Sequence, residues 1–403
     1  MHPHRIRLHN ELHARPSIYF EGPACAFHVA FVLAGDLCEP LLKHLTGQDS
    51  HPAHGFVDRD PVRYKWERHG EFLTISAVLP TYDSITPWPA FPSLLTDLMA
   101  QYAHCVINAM QVQVIEERPE SCDLSRYGFH DPAGSAIGQC SATLWSDFVL
   151  TPEGVCRLVL VNRSLNAYRL GRMVRRVLEL ETYRMMALLA LPQAQALGVE
   201  LDRFEERLSN LTQRTAQLSQ GETRLLLDDI ARLSTHITHC TVSNQQRLAA
   251  TAAYANLVDE RIAELRETHA GDCQRLGVFI ERRFRPSVRY CAVVRERLAQ
   301  LAQGVARLSD LLQARAQVEL EEQNGQILRS LNRRADTQIR IQKAVEGVSV
   351  IAITYYLLSL LKLIYQGGEA LGVELSAQLA VLACIPVTLA VLWHSRRKIR
   401  DTA

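Results

Sequence analysis

The sequence lacks the short motifs that mark the common nucleotide-binding and catalytic folds. It contains no G-x-x-x-x-G-K-[ST] phosphate loop, no G-x-G-x-x-G after a strand and no G-x-S-x-G nucleophile elbow. Its ten cysteines are scattered without a C-x-x-C pair, which argues against a zinc ribbon or a thioredoxin-like motif. No cofactor is indicated by any motif, and an enzymatic function is not favoured.

A secretory signal and a strong net charge are also missing. The first residues contain no apolar core of a signal peptide, and 44 Lys and Arg nearly balance 43 Asp and Glu. A net charge of +1 predicts no nucleic-acid partner. Together with the scattered cysteines, these features favour a reducing, cytosolic location for most of the chain.

Apolar runs long enough to cross a bilayer are absent before residue 347, where two follow in succession. They occupy residues 347–365 and 375–393, and each has nineteen residues, about the length needed to span a membrane. A short polar turn separates them. The pattern predicts a two-helix transmembrane hairpin at 347–394, and the alternative is a buried core hairpin.

Basic residues flank the two runs on their outer sides. Arg340 and Lys343 precede the first run and the basic tail 395–403 follows the second, whereas the connecting turn carries Glu369 and Glu374. Because cytoplasmic flanks are enriched in Lys and Arg, the sequence predicts a multi-pass protein of the inner (cytoplasmic) membrane. Both termini are then cytoplasmic, and the lipid bilayer is the expected partner.

Residues 1–165 alternate short apolar runs with turn signals, as expected for a cytoplasmic α+β domain. Two hairpins are predicted, one around His69-Gly70 and one around the turn at 151–154. Residues 118–138 are predicted to form a loop. Antiparallel pairing is expected to dominate, with helices packed on one face of the sheet.

The middle of the chain is predicted to be helical. At 166–286 we expect a helical bundle or coiled coil, with a broken ladder of apolar residues at 201–218. A long stalk helix is predicted at 287–346, where apolar residues recur at steps of four and three: Val294, Leu298, Leu301, Val305, Leu308 and Leu312. These ladders favour self-association, so we expect a homo-oligomer.

The N-terminal segment carries the best candidate for ligand binding, formed by His9, Glu11 and His13 and followed by Arg15. In an extended segment the first three side chains project to one side, where two imidazoles and a carboxylate can bind Zn²⁺ or Fe²⁺. The spacing is H-x-E-x-H, so the helical metalloprotease motif is not met. The alternative is a polar docking segment in which Arg15 pairs with a carboxylate.

Two further polar clusters lie on predicted helices. His236, His239 and Cys240 share one helix face, which suits a half-buried surface better than a soft-metal site. The second cluster suits salt-bridged packing against the α+β domain, or else an anionic ligand or lipid headgroup: Arg169, Arg172, Arg175 and Arg176, with Glu179 and Glu181.

Four segments carry a family resemblance: LHNELHARP at 8–16, LWSDF at 144–148, GRMVRRVLELETYRMMALLALP at 171–192 and AVEGVSVIAITYY at 344–356. Through them the chain resembles a bacterial family of uncharacterised membrane-anchored proteins, known only as a domain of unknown function. The resemblance implies a cytoplasmic body, a helical middle and C-terminal membrane segments. It implies no catalytic residues.

The layout is also similar to that of the CorA-type magnesium channels, which carry a Gly-Met-Asn signature directly after the first membrane helix. Here the matching position reads Tyr365-Gln366-Gly367-Gly368, without the Asn. The similarity is one of architecture only. Three functions therefore stay open: a membrane-anchored scaffold or sensor, which is favoured, a CorA-like oligomeric channel for divalent cations, and a metal-dependent enzyme using the N-terminal cluster.

Overall fold

The computed structural model describes residues 2–10, 17–33, 37–81, 88–117, 124–217 and 222–370, with 381–382, 385–391, 393 and 397. The chain divides into two units, residues 1–309 (unit 1) and residues 310–403 (unit 2). Each unit is described by itself.

In the described part of unit 1, nine strands form a single mixed sheet. They are β1 (Ala24–Val32), β2 (His54–Arg59), β3 (Val62–Arg68), β4 (Phe72–Pro80), β5 (Val106–Glu116), β6 (Ala133–Ile137), β7 (Ala142–Ser146), β8 (Cys156–Asn162) and β9 (Thr268–His269). Their order is β2-β3-β4-β1-β5-β8-β7-β6-β9. All the neighbours pair antiparallel except β5 and β8, which are parallel.

Both predicted hairpins are present, as the pairs β3–β4 and β7–β8. The predicted loop at 118–138 is wrong where β6 forms, at Ala133–Ile137. The sequence of β6 has little strand propensity of its own, but it pairs with β7, and Gly134 lies directly against the ring of Trp145. Contact with a neighbouring strand therefore decides this element.

The described helices are α1 (Arg5–Asn10), α2 (Cys38–Thr46), α3 (Ser93–Gln101), α4 (Ala167–Leu188), α5 (Leu191–Ala216), α6 (Thr223–Leu265) and α7 (Leu276–Ala370). Helices α2 and α3 pack on one face of the sheet, and α4, α6 and the start of α7 pack on the other. The prediction that helices cover only one face is therefore wrong.

Strand β1 shows why both faces are covered. Phe27, Val29 and Phe31 point towards α2 and α3, whereas Ala24 and Ala26 point towards α4, and all five are buried. Because successive side chains of a strand alternate between faces, a strand that carries apolar side chains on both faces needs cover on both. The small residues on the second face leave room for α4 to approach closely.

Helix α4 begins at a side-chain cap and rests on a glycine contact. The Oδ1 of Asn166 accepts a hydrogen bond from the backbone N–H of Arg169 at 3.0 Å, which satisfies a free donor of the first turn. One turn later, Gly171 packs so closely on the segment before β1 that a Cβ there would collide with the carbonyl oxygen of Ile18.

Helix α7 begins at Leu276, before the predicted start of the stalk helix at residue 287, and it contains Pro286. The proline is on an exposed part of the helix, where water can hydrate the carbonyl that its missing N–H leaves free. Two side chains cap the N-terminus of α7. Leu276 N–H donates to Ser135 Oγ, and Gly277 N–H donates to Glu267 Oε2, each at 2.9 Å.

Within unit 1, α5 and α7 are joined by an ion-pair cluster. Arg297 of α7 lies 2.6 Å from Asp202 and 2.8 Å from Glu205, both on α5. The residues of the predicted stalk ladder that lie in unit 1 are all buried: Val294, Leu298, Leu301, Val305 and Leu308. An apolar ladder covered by protein is consistent with the helical middle that the sequence predicts.

In unit 2, the described residues continue α7 to Ala370. Among the described residues, one helix, Leu276–Gly367, is long and apolar enough to cross a membrane by length and composition. None of its most apolar stretch is buried. The second apolar run, 375–393, lies mostly outside the described residues. The two-helix hairpin therefore stays a prediction.

Replacing Gly171 by Ala is expected to lower the free energy of unfolding by about 1–3 kcal/mol, because α4 or the backbone at Ile18 must move to admit a methyl group. The midpoint of thermal unfolding, followed by tryptophan fluorescence in detergent, measures it. Gly70→Ala is the matched control, since nothing lies within 4 Å of a Cβ at Gly70. Equal midpoints for the two variants would contradict the close approach of α4.

Candidate functional site

A cavity of about 40 Å³ lies between the sheet and helix α4, with room for a few water molecules. Apolar side chains form much of its wall, and polar side chains from three strands and α4 converge on it. We call the polar group the sheet–helix site and define it by these residues: His28, Lys65, Glu67, Thr74, Ser76, Arg175, Glu179 and Thr182.

Strand register assembles the sheet half of this site. Lys65 on β3 lies opposite Ser76 on β4, and Ser76 lies opposite His28 on β1. The neighbouring row pairs Glu67 with Thr74. Side chains two residues apart on a strand share a face, so the two rows stack on the face that α4 covers.

His28 is held by hydrogen bonds that fix its tautomer. Its Nδ1 lies 2.8 Å from Ser76 Oγ, and its Nε2 lies 2.9 Å from Thr182 Oγ1. The Thr182 hydroxyl donates its only proton to the carbonyl of Leu178 at 2.9 Å, and the Asn108 amide donates to Thr182 Oγ1 at 3.2 Å. Thr182 must therefore accept from His28, so Nε2 carries the proton and Nδ1 accepts from Ser76.

Burial keeps His28 neutral. It lowers the pKa of the imidazole to about 3, with smaller contributions from the positive charges of Lys65 and His69. The neutral tautomer matches its two partners, because a hydroxyl of Thr182 whose proton is already used can only accept. Protonation would leave both ring nitrogens as donors and would break the hydrogen bond from Ser76.

Two buried ion-pair groups flank His28. Lys65 Nζ lies 2.9 Å from Glu67 Oε1, and burial lowers the pKa of Lys65 while the charge of Glu67 opposes that shift. On α4, Glu179 Oε2 accepts from Arg261 of α6 at 2.6 Å, and its Oε1 lies 3.3 Å from Arg175. Removing such charges from water is costly, so the presence of these ion pairs beside the cavity marks it as a candidate functional site.

Aromatic rings close one side of the cavity. Phe72 stacks on His69 with ring centroids 4.1 Å apart and meets Tyr183 and Tyr254 edge-on at 6.5 Å and 6.1 Å. These rings come from the β3–β4 hairpin, α4 and α6. His69, Phe72 and Tyr183 line the cavity, and Tyr254 of α6 packs on Phe72 and Tyr183 without lining it.

The Ser76–His28 pair has the spacing of a nucleophile and its general base. A base must be able to take the proton, however, and a pKa near 3 makes His28 a weak base at neutral pH. Its second nitrogen faces a neutral hydroxyl rather than a carboxylate that would stabilise the imidazolium. The geometry favours binding through fixed hydrogen-bond donors and acceptors over acyl transfer.

Of the site residues predicted from sequence, only His9 lies inside the described residues, where it is exposed on α1. Glu11, His13 and Arg15 lie outside them, so ligand binding by this segment stays a prediction. Ser17 and Ile18, which follow this segment in sequence, line the sheet–helix cavity.

The two other predicted clusters lie on helices α6 and α4. His236 and His239 are exposed on α6, and the Cys240 thiol lies 3.6 Å from Glu200 Oε2. Within the described ranges, no group of three His, Cys, Asp or Glu side chains could hold a metal ion. In the arginine cluster, Arg175 pairs with Glu179 of the same helix and Arg176 pairs with Glu264 of α6, whereas the sequence predicts ion pairs with the α+β domain.

The sequence contains a signal for the sheet–helix site that motif reading missed. Each of its three strands is buried, yet places polar residues at alternate positions: His28 in FHVAFVL, Lys65 and Glu67 in VRYKWER, Thr74 and Ser76 in FLTISAV. Polar residues with a period of two inside buried strands predict a shared polar face. The pairing of the three strands brings their polar faces together on one side of the sheet.

Acid is expected to destabilise the protein through His28. Below its ordinary pKa of 6.5 the unfolded chain binds a proton at this position, whereas the folded protein, with a pKa of about 3, does not. Stability then falls by about 1.4 kcal/mol per pH unit, or about 2 kcal/mol at pH 5. Thermal midpoints at pH 7.5 and pH 5 measure it.

His28→Gln should reduce that acid-induced loss by several degrees, whereas His239→Gln, an exposed control on α6, should leave it unchanged. The same loss in wild type and His28→Gln would show that His28 is not buried as a neutral group.

Comparison with known proteins gives a family but no activity. A search of curated proteins finds no match to the chain. The similarity to CorA-type channels gains no support from either comparison and rests on layout alone. The model of a family described as a protein of unknown function, DUF3422, matches residues 1–403. The chain therefore belongs to the DUF3422 family.

Proposed function

We propose that this protein is a membrane-anchored scaffold or sensor that self-associates, with its sheet domain on the cytoplasmic side. One observation carries the proposal: the apolar stretch of α7 beyond residue 347 is not buried against any other described part of the chain. A helix that is apolar on every side is stable only inside a protein core or a bilayer.

The exposed side chains point in all directions around this helix. Neighbours in sequence are about 100° apart on a helix, and residues throughout the stretch are more than half exposed: Val348, Ile351, Ile353, Tyr355, Tyr356, Leu360, Leu363 and Ile364. Each large apolar side chain gains about 1.5–3 kcal/mol when it leaves water. A bilayer removes all of them from water together.

The second apolar run and the basic flanks supply the proposed topology. Residues 375–393 return across the membrane, which leaves the basic tail 395–403 on the same side as Arg340 and Lys343. The hairpin then anchors unit 1 in the cytoplasm. Membrane insertion of residues 347–365 alone would place the C-terminus on the far side.

The sheet–helix site is the proposed receptor of a small polar ligand. Its cavity is small, its walls are largely apolar, and its donors and acceptors are fixed by hydrogen bonds to neighbouring side chains. We propose that the N-terminal segment contributes to ligand binding through His9, Glu11, His13 and Arg15, because the chain passes from it directly to Ser17 at the cavity.

Self-association is proposed through the part of α7 that lies in unit 2. Ile327, Leu331, Ile341 and Val345 lie on one ladder of four- and three-residue steps, and each is more than half exposed. Arg334 and Gln338 occupy the middle of the same ladder. Ladders of this kind pair helices in coiled coils, with polar rungs fixing register.

Carbonate-washed membranes of expressing cells are expected to retain the full chain, because the apolar stretch is in lipid. A chain ending at residue 346 should be released into the supernatant, and a chain ending at residue 366 should stay with the membrane. Immunoblotting of the two fractions measures this. Release of the full chain by carbonate would contradict the anchor.

The full chain and the chain ending at residue 366 also test the hairpin. A C-terminal alkaline phosphatase, which is active only outside the cytoplasm, should be inactive on the full chain and active on the chain ending at residue 366. Activity on both would leave the anchor in place and would contradict the return of the second run.

The detergent-solubilised full chain is expected to be an oligomer by size-exclusion chromatography with light scattering. Ile341→Asp with Val345→Asp should shift it to monomer, because two charges would be buried at the ladder. Asn332→Asp with Gln342→Asp, off the ladder on the same helix, adds the same charge and should leave the oligomer intact. A monomeric wild-type chain would end the self-association proposal.

A further inference from the structure

A second and larger cleft lies beside the N-terminal half of α4, with a volume of about 270 Å³. Four arginines line it: Arg169, Arg172 and Arg176 from α4, and Arg266, the residue that follows α6. We call it the arginine cleft. The turn between β6 and β7 forms another part of its wall, and Leu165 and Met173 add an apolar patch.

The cleft carries an excess of positive charge. Arg176 pairs with Glu264 at 2.9 Å, and that carboxylate is shared with Arg261 at 3.0 Å. Arg169 donates to two neutral oxygens, Gly138 O and Ser141 Oγ, each at 3.4 Å. Within the part of the chain that the structure describes, Arg172 and Arg266 have no carboxylate within ion-pair distance.

The backbone around the cleft is held in left-handed conformations that non-glycine residues rarely adopt. Arg266 ends α6 with φ 47°, at a position where glycine is normally preferred. In the facing turn, Gln139 and Cys140 have φ 63° and 62°. The N–H of Gly138 donates to Leu265 O at 2.8 Å and ties this turn to the end of α6.

Such conformations cost about 1–3 kcal/mol each, and they concentrate at binding and active sites. Here two of the three residues, Arg266 and Gln139, line the same cleft as the arginines of α4.

We propose that the arginine cleft binds a small phosphate-bearing anion with at least two negative charges. Guanidinium groups donate pairs of parallel hydrogen bonds, and a phosphate group offers three acceptor oxygens to several such donors at once. A single carboxylate satisfies one guanidinium fork and leaves the others unpaired. A phosphomonoester carries about −1.5 to −2 at pH 7, which suits the charge of the cleft.

This chemistry is shared by soluble phosphate compounds and by a phospholipid headgroup, and two probes separate them. Inorganic pyrophosphate represents the first source and dihexanoyl phosphatidic acid the second. Each is titrated by calorimetry into the detergent-solubilised full chain at low salt. The inference is independent of the membrane anchor, because the cleft lies wholly in unit 1.

Arg172→Gln with Arg266→Gln should weaken binding of the preferred probe by tenfold or more, because charge-assisted hydrogen bonds are lost. Arg203→Gln with Arg207→Gln removes the same charge from the exposed surface of α5 and should change affinity less than twofold. Arg172→Lys with Arg266→Lys keeps the charge without the fork and should bind with intermediate affinity. This variant also serves if the glutamine pair does not fold.

Saturable binding of pyrophosphate that the cleft variant loses assigns the site to soluble phosphate compounds. Saturable binding of the lipid alone, lost in the same variant, assigns it to a headgroup. Absence of saturable binding by both probes overturns the proposal. An equal loss in the α5 control would also overturn it, since binding would then follow net charge and not the cleft.

Discussion

The hydrogen bond between His28 and Thr182 is the contact on which the arrangement of unit 1 depends. It joins strand β1 to helix α4, and Asn108 of the neighbouring strand β5 donates to the same hydroxyl. A buried imidazole needs partners for both nitrogens, so α4 must present Thr182 at one position over the sheet. Small residues on that face of β1, and Gly171 on the helix, allow the close approach that this contact requires. The position of α4 and the hydrogen bonds of His28 therefore depend on each other.

From α4 the constraint extends to α6. Glu179 binds Arg261, and Thr251 of α6 donates to the carbonyl of Ala187 at 3.0 Å. A ligand that enters the sheet–helix site would thus act on a helix already tied to another helix by buried polar contacts. The arginine cleft uses the outer surface of the same helix, so α4 has a polar site on its sheet side and a basic site nearer to solvent. If the proposed scaffold or sensor binds its ligands at these places, binding can act on the position of α4.

Features determined by local sequence could be predicted, and features determined by contacts distant in sequence could not. The hairpin around His69-Gly70 and the apolar stretch after residue 347 follow from alternation and composition over short windows. Cover on both faces of the sheet was missed, because it depends on which strands pair. The start of α7 was missed because Pro286 resembles a helix boundary, while the caps that place the start come from Ser135 and Glu267. The sheet–helix site joins residues 154 positions apart, His28 and Thr182, and only strand register reveals it.

Nitrogen-15 solid-state NMR of the full chain, with labelled histidine imidazoles and the spectrum of His28→Gln subtracted, tests the central claim most directly. The account predicts one neutral imidazole with its proton on Nε2 and a hydrogen-bonded, unprotonated Nδ1, unchanged from pH 7.5 to pH 5. An imidazolium signal for His28 at pH 6, or a proton on Nδ1, would contradict it. Either result would mean that Thr182 does not hold the ring and that α4 is positioned by something else.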